Sequence, residues 1–151
     1  MKKGFTLIEI VIVVAILTIL TAIIVNSFSL FNKKVTLSRD AEKIVSMLYQ
    51  ARTNTIASKN DVQYGVHFEV DRAIIFSGAS YSSGATDNDI FFLKTFESLS
   101  NISLAGTSDD VIFDRITGAT SNFGSITIST TGAGATSRVI FVSANGLVNL
   151  Q

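Results

Sequence analysis

The chain has no cysteine, no proline, no tryptophan and a single histidine. Without cysteine there is no disulfide, no thiolate metal site and no cysteine nucleophile. One histidine, His67, cannot by itself build a metal centre or a proton relay, and it alternates with Gln63 and Glu69, so it reads as a solvated strand residue. Serines are plentiful, but no Gly-x-Ser-x-Gly elbow or partner base accompanies them. No catalytic constellation is present, and neither an enzyme nor a cofactor is expected. Charge is scarce at 16%, and 12 basic residues cancel 12 acidic ones, so no global field draws nucleic acid or an anionic surface. The missing proline leaves a long helix free of interruption. Hydrophobic residues make up 47% of the 151, and much of that excess lies in the first 25.

That excess is one apolar run. Phe5 to Val25 reads FTLIEIVIVVAILTILTAIIV, relieved only by three threonines and Glu9. As helix, at about 1.5 Å per residue, the run spans roughly 31 Å, the thickness of a bilayer's hydrocarbon core. Lys2 and Lys3 precede it, and the positive-inside rule keeps them cytoplasmic with the rest of the chain outside. A secretory signal has a shorter apolar core followed by a small-residue cleavage site, which Val25-Asn26-Ser27 does not supply. A plain membrane anchor has the right length but leaves Glu9 unexplained, because a carboxylate within an apolar run is costly and marks a partner. It also leaves unexplained the glycine, Gly4, between the lysines and the run.

Lys2-Lys3-Gly4-Phe5-Thr6-Leu7-Ile8-Glu9 resembles the class III signal of type IV prepilins and pseudopilins. The resemblance implies cleavage between Gly4 and Phe5 by a prepilin peptidase and N-methylation of the new terminus at Phe5. It further implies that Glu9 pairs with the terminal amine of a neighbouring subunit, so that both charges are neutralised in apolar surroundings. Glycine suits the cleavage site because it permits close approach to the backbone. The implied partners are other pilin or pseudopilin subunits, the peptidase, an inner-membrane assembly platform and the membrane that stores the subunit beforehand. Many major pilins carry a proline at about the place of Asn26. The departure leaves minor pilins and pseudopilins open, with a major pilin as an alternative.

From Asn26 to about Lys59 the helical pattern continues with one apolar stripe: Leu37, Ala41, Ile44, Leu48, Ala51 and Thr55 recur at steps of four and three. Asn26-Ser27 is the expected soft point of an otherwise continuous helix. After Asn60-Asp61 the period becomes two. Val62, Tyr64, Val66, Phe68 and Val70 mark a strand, Asp71-Arg72 a tight turn, and Arg72 to Ser77 the returning strand. Gly78 to Asn88, rich in Ser, Gly and Ala, reads as a flexible loop. Further strands are expected at Ile90–Phe96, Ile102–Leu104, Val111–Phe113, Ser125–Thr130 and Arg138–Ser143. Thr131–Ala135 forms a hairpin loop, and Asn145-Gly146 turns the chain into Leu147–Leu150. The expected architecture is α+β: a leader over 1–4, a transmembrane and assembly helix over 5–25, an amphipathic helix over 26–59, and a β-rich head over 60–151 whose antiparallel sheet receives the stripe.

The order of Ala51-Arg52, Tyr64-Gly65-Val66, Val111-Ile112-Phe113 with Gly118, Ser125 to Ile128, and Arg138 to Val142 with Asn145-Gly146 resembles the GspH/FimT-type minor pseudopilin and minor pilin domain. The resemblance raises two binding roles. Major pseudopilins hold calcium in a head loop, and Asp87, Asp89, Asp109 and Asp110 are oxygen-ligand candidates here, though without EF-hand spacing. Some FimT-type minor pilins bind DNA for uptake through basic residues, for which Arg115 and Arg138 are the candidates. Against DNA, the chain from Asn60 onward has four basic residues and nine acidic ones, a net of −5 that repels phosphate. The segment Asn26–Lys59 has the opposite sign, with six basic residues against two acidic ones. The reading that follows is a structural filament subunit.

Overall fold

The computed structural model describes residues 4–106, 108–132 and 134–151, with all their side chains except those of 23–27. It divides into two compact units, Met1–Val35 and Thr36–Gln151. Helix α1 runs over Leu7–Ile56, fifty residues, and its backbone is helical through the expected soft point at Asn26-Ser27. The side chains of that soft point lie outside the described set.

In the first unit the helix opens on a capping box. The Thr6 hydroxyl accepts the Glu9 N–H at 3.3 Å, and a Glu9 carboxylate oxygen accepts the Thr6 N–H at 3.5 Å. Thr18 and Thr21 return their hydroxyls to helix carbonyls, Thr18 to Val14 at 2.6 Å and Thr21 to Leu17 at 2.7 Å. Their polarity is thereby satisfied within the helix. The large apolar side chains from Phe5 to Leu20 are exposed.

In the second unit the expected stripe is buried. Leu37, Ala41, Ile44, Leu48, Ala51 and Thr55 are all fully or almost fully covered, joined by Met47. They pack into one core with two four-stranded antiparallel sheets rather than one. The first sheet has β1 (Tyr64–Glu69), β2 (Arg72–Ser77), β3 (Asp89–Phe92) and β5 (Asp110–Ile112) in the order β3-β2-β1-β5. The second has β4 (Glu97–Leu104), β6 (Gly124–Thr130), β7 (Ser137–Val142) and β8 (Val148–Leu150) in the order β4-β6-β7-β8. Val66, Phe68, Ala73, Ile75 and Val111 come to the core from the first sheet, and Leu99, Ile126, Ile128, Ile140 and Val142 from the second. Thr55 ties the helix end to β1: its hydroxyl donates to Ala51 O and accepts the Tyr64 N–H, both at 2.9 Å. Tyr49 donates to Val148 O at 2.8 Å and ties the helix to β8.

Several boundaries differ from expectation for identifiable reasons. Glu69 pairs with Arg72, so the β1–β2 turn is Val70-Asp71, one residue earlier than expected. This register places Phe68 opposite Ala73 and Val66 opposite Ile75 on the core side, and a slip of one residue would turn them outward. Strand β3 stops at Phe92 because Leu93 already donates to Asp71 O and Lys94 begins the turn into β4. Strand β4 begins at Glu97 rather than Ile102, and its register shifts between Leu99 and Asn101. That bulge breaks the period of two and hides the strand from an alternation argument. Of the expected Thr131–Ala135 loop, Ala133 lies outside the described residues.

Candidate functional site

Gly4, Phe5 and Thr6 precede α1 and are not helical, so the Gly4–Phe5 bond sits in irregular backbone ahead of the first turn. A Cβ placed on Gly4 would meet nothing within 4 Å, and Phe5 is 80% exposed. A protease can therefore reach both sides of the bond. Lys2 and Lys3 lie outside the described residues. Glu9 is exposed in the first turn of the helix, where the helix dipole favours negative charge, and Thr6 holds it there. The sequence carries the signal for this box as Thr6-x-x-Glu9. Around the carboxylate the helix presents only apolar side chains and self-bonded threonines, a large uncovered apolar surface. Among the described residues no helix is long and apolar enough to cross a membrane. The described side chains of the Phe5–Val25 run stop at Ala22, so the expected span extends beyond the described set.

In the second unit the motif residues Arg52, Gly118 and Gly146 meet. Arg52 Nε donates to Gly118 O at 3.0 Å, holding the loop after β5 against α1. Gly118 and Gly146 both have positive φ, and a Cβ on Gly146 would lie 1.8 Å from Gly118 O. This close approach requires glycine and joins two loops 28 residues apart in the chain through one helix arginine. Its role is architectural.

The outer face of the first sheet holds a network not anticipated from the sequence. His67 is half-buried, and its Nδ1 lies 2.5 Å from Asp110 Oδ1 on the neighbouring β5. Tyr81 stacks on the imidazole at 3.9 Å between centroids and meets Phe76 edge-on at 5.8 Å. Phe76 in turn lies across Gly65, whose missing Cβ leaves room for the ring. Arg72 binds Glu69 at 3.1 Å and Asp71 at 2.9 Å and lies over the Phe92 ring. Arg72 holds the Asp71 carboxyl below the usual range, while burial, then the nearby Glu69 charge, push the Tyr81 hydroxyl up. His67 is thus a paired and covered residue, not a solvated one. Gly78–Asn88, expected as a flexible loop, is anchored by Tyr81, by Ser77 bonded to Asp87, and by Asn88 donating to Ser82 O. Sequence alternation placed His67 on the outer face, but its partners come from β5 and a distant loop.

The remaining candidates are dispersed. Asp89 begins β3 and Asp109-Asp110 lead into β5, and these strands are opposite edges of the first sheet. Asp87 is bonded to Ser77 and Asp110 to His67. Among the described residues no group of three or more acidic or histidine side chains converges to hold a metal. Arg115 pairs with Asp61 just beyond the C-terminal end of α1, whereas Arg138 reaches Ser38 at 3.5 Å. Ser38 and Ile56 are separated by roughly 27 Å of helix rise, so the two arginines form no common patch.

Two family models match the chain. Residues 1–25 match the prokaryotic N-terminal methylation motif, and residues 40–146 match the type II transport protein GspH. No curated protein and no solved structure matches it. The second match takes in the arginine–glycine junction, the covered His67 face and strands β1 to β7, and ends before β8. With the methylation motif on its exposed apolar helix, the chain belongs to the GspH family, as a type IV prepilin-like minor pseudopilin of the GspH/FimT type.

Proposed function

We propose that this chain is stored in the cytoplasmic membrane by its amino-terminal helix, with the second unit outside the cytoplasm. Prepilin peptidase cuts it between Gly4 and Phe5, Phe5 is N-methylated, and an assembly platform moves the subunit into an extracytoplasmic filament. Family membership already makes it a structural subunit of a type II secretion or type IV pilus system, processed as a prepilin and joined to other pilin-like subunits. The observation that carries the finer reading is Glu9, the single carboxylate in the apolar run Phe5–Val25, whose described side chains are uncovered, beside an accessible Gly4–Phe5 bond.

Cleavage turns the Phe5 amide nitrogen into a basic amine. In an apolar filament core an unpaired carboxylate costs several kcal/mol, and so does an unpaired ammonium. Pairing Glu9 with the amine of a neighbour removes both costs at one register and at no other. Before assembly the Thr6 N–H satisfies part of the carboxylate. Exchange of lipid for protein around the apolar side chains changes little free energy, which leaves the charge pair to select position.

The test is intact mass and N-terminal sequencing of the protein recovered from membranes of its host. The expected product begins at N-methylated Phe5. Gly4→Ala should leave the uncut precursor in the membrane, and Glu9→Ala should be cut normally but incorporated poorly. An uncut wild-type terminus in the presence of active peptidase would refute processing. Wild-type incorporation of Glu9→Ala would refute the register role. No observation favours the DNA-uptake or calcium readings over this one.

A further inference from the structure

A second carboxyl pair lies in the packed unit, away from the amino terminus. Glu97 begins β4 and is only 5% exposed. Asp40 lies on α1 between the core residues Leu37 and Ala41, and its carboxyl stands beside that of Glu97. Asp40 Oδ2 and Glu97 Oε1 are buried oxygens with no conventional donor. Two carboxylates cannot bond each other, because neither has a hydrogen to donate. A proton on either supplies the missing donor and satisfies both oxygens.

We propose that Asp40 and Glu97 form a proton-operated clamp between α1 and the second sheet. One shared proton joins the carboxyls, and its release to solvent sets two negative charges against each other across the helix–sheet contact. Among the described residues Lys94 is the cation that acts on Glu97. Lys94, in the turn before β4, gives its backbone N–H to Glu97 Oε2 at 3.3 Å, and its charge acts weakly against the shift. From β6 the residue paired with Glu97 is the uncharged Thr130, and on β7 Arg138 reaches Ser38 instead. Arg39 and Lys43, the cationic neighbours of Asp40 on α1, are exposed.

Burial first, then the hydrogen bond to and charge of Asp40, push the Glu97 carboxyl up to about 7 from 4.5. The folded state therefore keeps a proton that the unfolded chain has already lost. The stability this contributes is complete below 4.5 and disappears as pH rises through about 7.

The experiment uses the full chain in detergent micelles, with thermal midpoints measured from about pH 5 to 8 and infrared spectra of the carboxyl region. The wild type should lose midpoint as pH rises through neutrality and show a protonated-carboxyl band that fades over the same interval. Glu97→Gln supplies an amide donor to Asp40 in place of the proton, so its profile should be flatter than that of the wild type and the band absent. Asp40→Asn makes the same exchange from the helix side, should Glu97→Gln fail to fold. A wild type with no protonated-carboxyl band just below neutrality, or a variant profile as steep as the wild type's, overturns the clamp.

Discussion

Gly146 approaches the Gly118 carbonyl too closely to carry a side chain. At Gly146 the positive φ of 76° and the contact with Gly118 O act together, and the obstructing atom is backbone, which cannot swing aside. Gly146→Ala should cost about 2–4 kcal/mol, from left-handed strain of about 1–2 kcal/mol plus displacement of one loop. Chemical denaturation should show this as an earlier midpoint. Gly84→Ala is the matched control, since its Cβ meets nothing within 4 Å and no positive φ is required there. Its expected effect is within about 0.5 kcal/mol. The dipeptide Asn145-Gly146 marks a turn in the sequence, but the carbonyl that enforces the glycine belongs to a loop with no local relation to it.

For whole elements, the outer face of the first sheet depends on a loop. Ile74 and Phe76 are buried although they point away from the core that α1 fills, and Tyr81 helps to cover Phe76 and His67. Tyr81→Ala should uncover that face and raise amide hydrogen exchange in Gly78–Asn88 and β2, at a stability cost of about 1–3 kcal/mol. Tyr81→Phe keeps the ring and gives up only a 3.5 Å hydroxyl contact to Glu69, so its exchange pattern should match the wild type. Equal exchange in both variants would remove Tyr81 as the cover. The same comparison separates ring burial from the Glu69 contact, which the neutral hydroxyl makes as donor.

At the scale of the whole molecule the two units have opposite needs. All the buried core residues lie at or after Leu37, and no described side chain before Val35 is buried. The exposed apolar side chains described in the first unit call for lipid, detergent or other subunits. A chain starting at Thr36 should be soluble without detergent and unfold at the same midpoint as the second unit of the full chain, measured by circular dichroism. A truncated chain that is unfolded or aggregated would show that the second unit depends on the first. Glu9→Ala, by the same reasoning, should leave the thermal midpoint unchanged while it alters assembly.

The sequence by itself determined what depends on neighbours along the chain. The absence of proline and the stripe from Leu37 to Thr55 determined the helix and its buried face, because helical period needs only local spacing. Strict alternation located β1, the turn after it located β2, and the spacing from Lys2 to Glu9 carried the prepilin signature. The tertiary structure alone decided the division into two sheets, since eight strands pair with partners that periodicity does not name. It also decided the extent of β4, where a bulge erases alternation, and the pairing of His67 with Asp110, 43 residues away. Asp40 and Glu97 likewise read as ordinary solvated acids along the chain. They become a proton-sharing pair only because packing the helix on the second sheet removes water from both, and burial is a property of contacts rather than of sequence.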